Sequence, residues 1–192
     1  MRFEGDWLFQ EALEPYLSFR FQQIASRMVE QQFAQTGKVP RVALRRQIAE
    51  LAMVDPLEIS TVAEVQVEVR TDPDDPERHQ FGFALPAIGT AELFTHRAAA
   101  MDGTRVVRGK IVQGGILFHG SAPVSDPAVI STIAAGELQL VTDHVRAQRP
   151  VCEAFNNGLP ARAQAYILRA IETRQHARAE ARRNRNASVS LD

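Results

Sequence analysis

A single cysteine, Cys152, excludes an internal disulfide and makes a reducing cytoplasm the expected setting. Surplus charge is missing as well. Lys and Arg number 22 against 23 Asp and Glu, a net charge of −1, so the whole molecule has no electrostatic bias toward nucleic acid or an anionic membrane. No apolar run approaches the roughly 18 uninterrupted residues of a membrane-spanning helix. The acidic start, with Glu4 and Asp6, is unlike a secretory signal. No internal repeat occurs.

Chemistry-bearing motifs are also scarce. His79, His96, His119, His144 and His176 lack the short spacings that gather metal ligands. Gly109, Gly114, Gly115 and Gly120 match neither a P-loop nor a dinucleotide fingerprint, and suit a hairpin turn. Ser121 sits in HGSAP, outside the GxSxG pattern of a nucleophile elbow. The acidic loop of Asp72, Asp74, Asp75 and Glu77 lacks the glycine and terminal glutamate of a calcium loop. Cys152 follows Pro150 with no basic neighbour to activate it, and reads as a structural thiol. No catalytic, cofactor-binding or metal residue is therefore assigned. A hydrolase built on His119 and Asp143 would require the two to converge in a pocket.

What the chain does have is length and apolar content. Its 192 residues, 45% hydrophobic, can bury one core. Trp7, Leu8 and Phe9 are expected to pack against the domain, the other reading being a docking patch. Pro15 opens a helix with Leu17, Phe21, Ile24, Met28 and Val29 toward one side, ended by Gly37. Pro40 opens a shorter helix on Leu44, Ile48 and Leu51. Thr61–Arg70 alternates as a strand, and His79–Leu85 is a second, interrupted by Pro86 and Gly89. The stretch 90–102 suits either a short helix or an irregular excursion. A hairpin of 105–112 and 116–119 turns at Gln113-Gly114-Gly115.

Ser125-Asp126-Pro127 starts a helix carrying Val129, Ile130, Ile133, Leu138, Val141 and Val145, weakened at Gly136 and ended or kinked at Pro150. Asn156-Asn157-Gly158 is a stop, and Pro160 starts a last helix. The expected class is α+β: two N-terminal helices, a small, mainly antiparallel sheet of about four strands, and two long C-terminal helices, the last protruding. Residues 1–160 form the body, and 161–192 the basic helix and tail.

The last helix carries the candidate site. Tyr166, Ile167, Ala170 and Ile171 form an apolar stripe, and Arg174 supplies the rim that interfaces favour. Arg178, Arg182, Arg183 and Arg185 extend a segment in which seven arginines from Arg162 onward face Glu172 and Glu180. That segment could contact phosphates, although no aromatic residue after Tyr166 is available to stack on bases.

Four stretches carry a resemblance: RQIAELAMVDPLEI (46–59), FGFALPAIGTAELF (81–94), the strands of 108–119, and FNNGLPARAQAYILRAIETRQHARAEARRNRNASVSL (155–191). Together they resemble an uncharacterised bacterial domain found N-terminal to TIR-like or restriction-endonuclease-like effectors of phage-defence proteins. Ala87-Ile88-Gly89-Thr90 departs from it by lacking the aspartate of the related segment. The resemblance implies a sensor, adaptor or oligomerising module without an effector of its own, and no catalytic residues. The expected function is thus a non-enzymatic protein-interaction module that self-associates or docks a partner through its last helix. Nucleic-acid binding by the arginine tail is the alternative, and a small hydrolase the second.

Overall fold

A computed structural model describes residues 2–36, 39–60, 68–123 and 126–189. Strands β1 (Arg2–Glu4), β2 (Asp6–Leu8) and β3 (Glu11–Ala12) precede helices α1 (Leu13–Thr36) and α2 (Arg41–Ala52). Then come β4 (Glu58–Ile59), β5 (Glu68–Thr71), β6 (His79–Ile88), β7 (His96–Arg97), β8 (Val107–Val112) and β9 (Gly115–Ala122). Helix α3 (Pro127–Val189) closes the chain. The chain divides into a sheet unit, Met1–Leu17 with Val54–Ala154, and a helical unit, Ser18–Met53 with Phe155–Asp192.

The sheet unit is built around β6 and β9, paired antiparallel from His79↔Ala122 to Pro86↔Gly115. Each has its outer edge covered by two short strands in succession. Along β6 these are β5, at Glu68↔Gly82, and β4, at Glu58↔Ile88. Along β9 they are β8, at Lys110↔Leu117, and β1, at Glu4↔His119. β2 then pairs with β8. Gly5 makes that transfer possible. Its φ is +116°, and a Cβ there would lie 2.7 Å from the carbonyl carbon of Gly109. Before Gly5 the odd residue Phe3 faces the core; after it the even residue Leu8 does. One positive-φ residue thus reverses the alternation and turns one segment into two strands.

The sheet's inner face carries Phe81, Phe83, Leu85, Ile116, Phe118 and Val107, all buried. In this unit α3 contributes Ile130, Ala134, Val141 and Cys152, also buried. Ile130 joins Phe81 and Ala122 in one cluster, edged by Phe3 and Val69. The helical unit has its own core: Phe21, Ala25 and Val29 of α1, Leu44, Ile48 and Ala52 of α2, and Phe155, Leu159, Ala163 and Ile167 of α3.

Several expectations are corrected. Among the described residues the sheet has seven strands where about four were expected, and β3 and β7 form a separate parallel pair. The N-terminal residues form part of that sheet; Leu8 and Phe9 are fully buried, whereas Trp7 is 43% exposed beneath the Arg108 guanidinium, 4.1 Å from its ring centre. The two expected C-terminal helices are one helix of 63 residues, running through Pro150 and through FNNGLP. The reason is phase. Gln148, Cys152, Phe155, Leu159, Ala163 and Ile167 keep one unbroken buried stripe, while Pro150, Asn157 and Pro160 are exposed. The helix bonds lost at each proline therefore face water, which can satisfy the freed carbonyls.

Strand boundaries also move: the hairpin expected over 105–112 and 116–119 has its strands at Val107–Val112 and Gly115–Ala122. β6 continues through Pro86 to Ile88. The carbonyl of Pro86 accepts from the Ser60 N–H at 3.1 Å, so its nitrogen points to the same side, away from β9. Of the strand expected over 61–70, residues 68–71 form β5, and 61–67 lie outside the described residues. The stop at Gly37 lies outside them too. In α2 the buried series is Leu44, Ile48 and Ala52, and Leu51 is exposed. The stretch 90–102 holds two short 3₁₀ segments, Ala91–Thr95 and Ala99–Met101, flanking β7.

Candidate protein-interaction face

The stretch of α3 beyond Phe155 starts from a helix whose entrance is well specified. Asp126 caps it, its carboxylate accepting from the Ala128 N–H at 2.9 Å, with Pro127 in the first turn. Within the helical unit, α3 is flanked by the later part of α1 and by α2. Phe21 meets Tyr166 edge-on at 6.1 Å, and Phe33 lies 4.3 Å beneath the Arg174 guanidinium. The contacts come in the same order along both helices, so the two run side by side in the same direction. On α2, Arg45 donates to Gln164 at 3.3 Å, and a recess between Val42, Ile167 and Leu168 marks that seam.

The five apolar and rim residues expected at an interface divide accordingly. Ile167 is fully buried inside the helical unit, and Tyr166 is half-buried against Phe21. Ala170 and Ile171 are half-buried, and Arg174 is exposed over Phe33. The stripe is thus partly used by its own unit, and its outward part is Ile171 with its neighbours. Arg178, Arg182 and Arg183 are exposed on the helix, and Arg185 lies on it with its side chain outside the described set. Every residue from Glu172 to Asn184 is exposed. Arg174, Arg178 and Arg182 follow an i, i+4, i+8 spacing, which puts them on one side.

A groove that sequence reading missed lies between α1 and α3 in this unit. It has a volume of about 1480 Å³. Phe21, Ile24 and Tyr166 contribute apolar surface, Ala161 and Ala165 keep the α3 wall low, and Phe19 stands 58% exposed at its side. Arg27, Arg162 and Arg169 outnumber Glu30 among the charged groups that line it. The signal was present in the sequence: Phe19 falls off the buried phase of α1, and Gly158, Ala161 and Ala165 are small at helical spacing.

The sheet unit holds two polar arrangements. On the outer face of the sheet, Glu68, Gly82, His119 and Glu4 occupy one row across four strands. His119 lies 3.4 Å from Glu4, and Arg70 2.9 Å from Glu68. Glu4, Glu68 and Arg70 are exposed and His119 is half-buried, and pairs so open to water contribute little. Asp143 accepts from Gln139 at 2.9 Å and from Arg146 at 3.4 Å on α3, so the His119–Asp143 contact that a hydrolase would use is not made.

The second arrangement is internal. Glu137, His144 and Gln148 are buried on one side of α3. Glu137 accepts from Arg105; Gln148 donates to the Leu93 carbonyl at 2.9 Å and to that of His96. His144 stacks on Phe9 at 4.4 Å, and burial pushes its pKa below 6.5. His96 sits between Glu11, 3.2 Å from Nε2, and the ring of Tyr16. These groups fasten the excursion 90–105 to α3. Nearby, burial raises the Cys152 thiol to about 11, with Glu153 adding to the effect, so it stays protonated and unreactive at neutral pH.

Among the described residues no group of three or more His, Cys, Asp or Glu is placed to hold a metal ion. No described helix is long and apolar enough to cross a membrane. Comparison with protein-family models, with curated proteins and with solved structures finds no match for this chain.

Proposed function

We propose that the chain is a non-enzymatic interaction module, a sensor or adaptor of the kind the resembled bacterial defence domain implies. It docks a protein through the helical unit, with the outward part of α3 as the contact. The observation that carries this reading is the stretch Glu172–Asn184, helical yet exposed at every residue. An isolated helical segment of this size is marginal in water, and most helical stability comes from packing one face. A partner laid along it would supply that packing. Ile171 and Arg174 stand where the covered part of the helix gives way to the uncovered part. The test is solution mass and partner capture with Ile171→Asp and Arg174→Glu. Both should weaken assembly at least several-fold with helix content unchanged; unchanged mass and capture would sink the reading.

A second reading is favoured by the arginine row. Arg174, Arg178 and Arg182 on one helix side, with Arg183 adjacent, could track a phosphate backbone. Binding of that kind should fall by orders of magnitude between low and moderate salt. Salt-independent affinity for an oligonucleotide, or none, would remove it.

A further inference from the structure

We infer that the groove between α1 and α3 receives an acidic amphipathic helix of a partner protein, completing a fourth helix beside the three of the helical unit. This rests on the reading that the unit works by docking. Two features of the groove specify the occupant. Its apolar part is unfilled: Phe19 is 58% exposed, and Ile24 and Tyr166 are only partly covered. Alanines at 161 and 165, both exposed, let another helix approach to the close distances of helix packing. Its charge is one-sided. Arg27, Arg162 and Arg169 stand against Glu30, whose carboxylate already accepts from Ser26 at 3.0 Å.

An occupant with an apolar stripe and flanking carboxylates would fill the first feature and neutralise the second. A second copy of α3 is a poor occupant: it would set its own Arg162 and Arg169 against those that line the groove, and like charges across an interface are costly. Helix-in-groove recognition of this type reads anchors at i, i+3, i+4 and i+7.

The test uses the full chain and a labelled synthetic helix with leucines at those anchor positions and glutamates beside them. Two controls have the same composition in scrambled order, and lysine in place of glutamate. The glutamate helix should bind saturably and the controls at least tenfold more weakly. Phe19→Asp and Arg169→Glu, both at exposed positions, should each weaken binding about tenfold, as loss of an interface anchor does. Binding should also fall with salt. Equal binding of the lysine helix, or no saturable binding, overturns the assignment. So does a fall from dimer to monomer in Phe19→Asp, which would seat a second copy in the groove. So does an oligonucleotide whose binding both variants weaken. If Ile171→Asp disrupts assembly while the peptide fails to bind, docking survives and the groove assignment falls.

Discussion

His144 is the residue whose environment departs furthest from its surroundings in sequence. A histidine between Asp143 and Arg146 on a helix would ordinarily be wet, yet it is fully buried and stacked on Phe9. Burial favours the neutral ring, with Arg97 adding to the effect, while the Arg105 carbonyl and Asp143 oppose it. The folded pKa is thus below the unfolded value. Its contribution to stability is intact above about pH 6.5 and is lost as pH falls from there through the folded pKa. Denaturant midpoints measured across that window should fall toward acid in the wild type and fall less in His144→Phe, which keeps the stack; parallel curves would contradict this. Gln148 shows the same logic without charge, holding the carbonyls of Leu93 and His96 in a place water does not reach. The signal for both was in the spacing. Glu137, Val141, His144, Gln148 and Cys152 share one helical phase with the apolar residues, so polar members of it had to be buried. Their partners lie in the excursion 90–105, which no periodicity could connect to them.

At the scale of elements, α3 is the instructive case. Its start was legible, because Asp126 and Pro127 act locally on the first turn. Its end is not legible, because proline and Asn-Gly signals are also local and state a cost without stating what opposes it. A proline in a helix interior costs about 3 kcal/mol, so the two interior ones cost about 6, which the burial of four or more large apolar side chains at about 1.5–3 kcal/mol each offsets. Phe155, Leu159 and Ile167 follow the interruption and are buried. Pro150→Ala should restore the missing donor at no loss of packing, since the side chain is exposed, and raise stability by about 1–3 kcal/mol in urea denaturation. A destabilised variant would mean that the proline serves the packing and merely happens to lie on the wet side. The sheet presents the opposite difficulty. β1 and β2 have three residues each and are split by Gly5, too short for alternation to register. The β8–β9 hairpin is legible from its glycines, although its strands run over 107–112 and 115–122 and its turn is Gln113-Gly114, with Gly115 opening β9. Gly115 has φ +157° and would place a Cβ 2.1 Å from the Leu85 carbonyl, so no other residue fits there.

For the molecule as a whole, order is distributed unevenly. The β6–β9 pair and the buried stripe of α3 hold the tertiary contacts, whereas 172–184 has every residue exposed. Backbone hydrogen bonds in such a segment open locally at little cost. Brief trypsin treatment should therefore cut first among Arg174, Arg178, Arg182 and Arg183, read as a stepwise mass loss from the C-terminal side. Early cleavage at Arg45 or Arg146 would show instead that the units open before the helix end does, and protection of 174–183 in a complex would mark the docked face. The amino-acid sequence by itself determined where α3 begins, that the β8–β9 hairpin turns at its glycines, and that the chain end is basic, because capping, turn chemistry and charge act within a few residues. Only the tertiary structure decided that α3 passes Pro150 and Pro160, that the N-terminal segment joins the sheet, that Ile167 belongs to the core, and that a groove lies beside Phe19. Each of these depends on which residues distant in the chain come to cover one another.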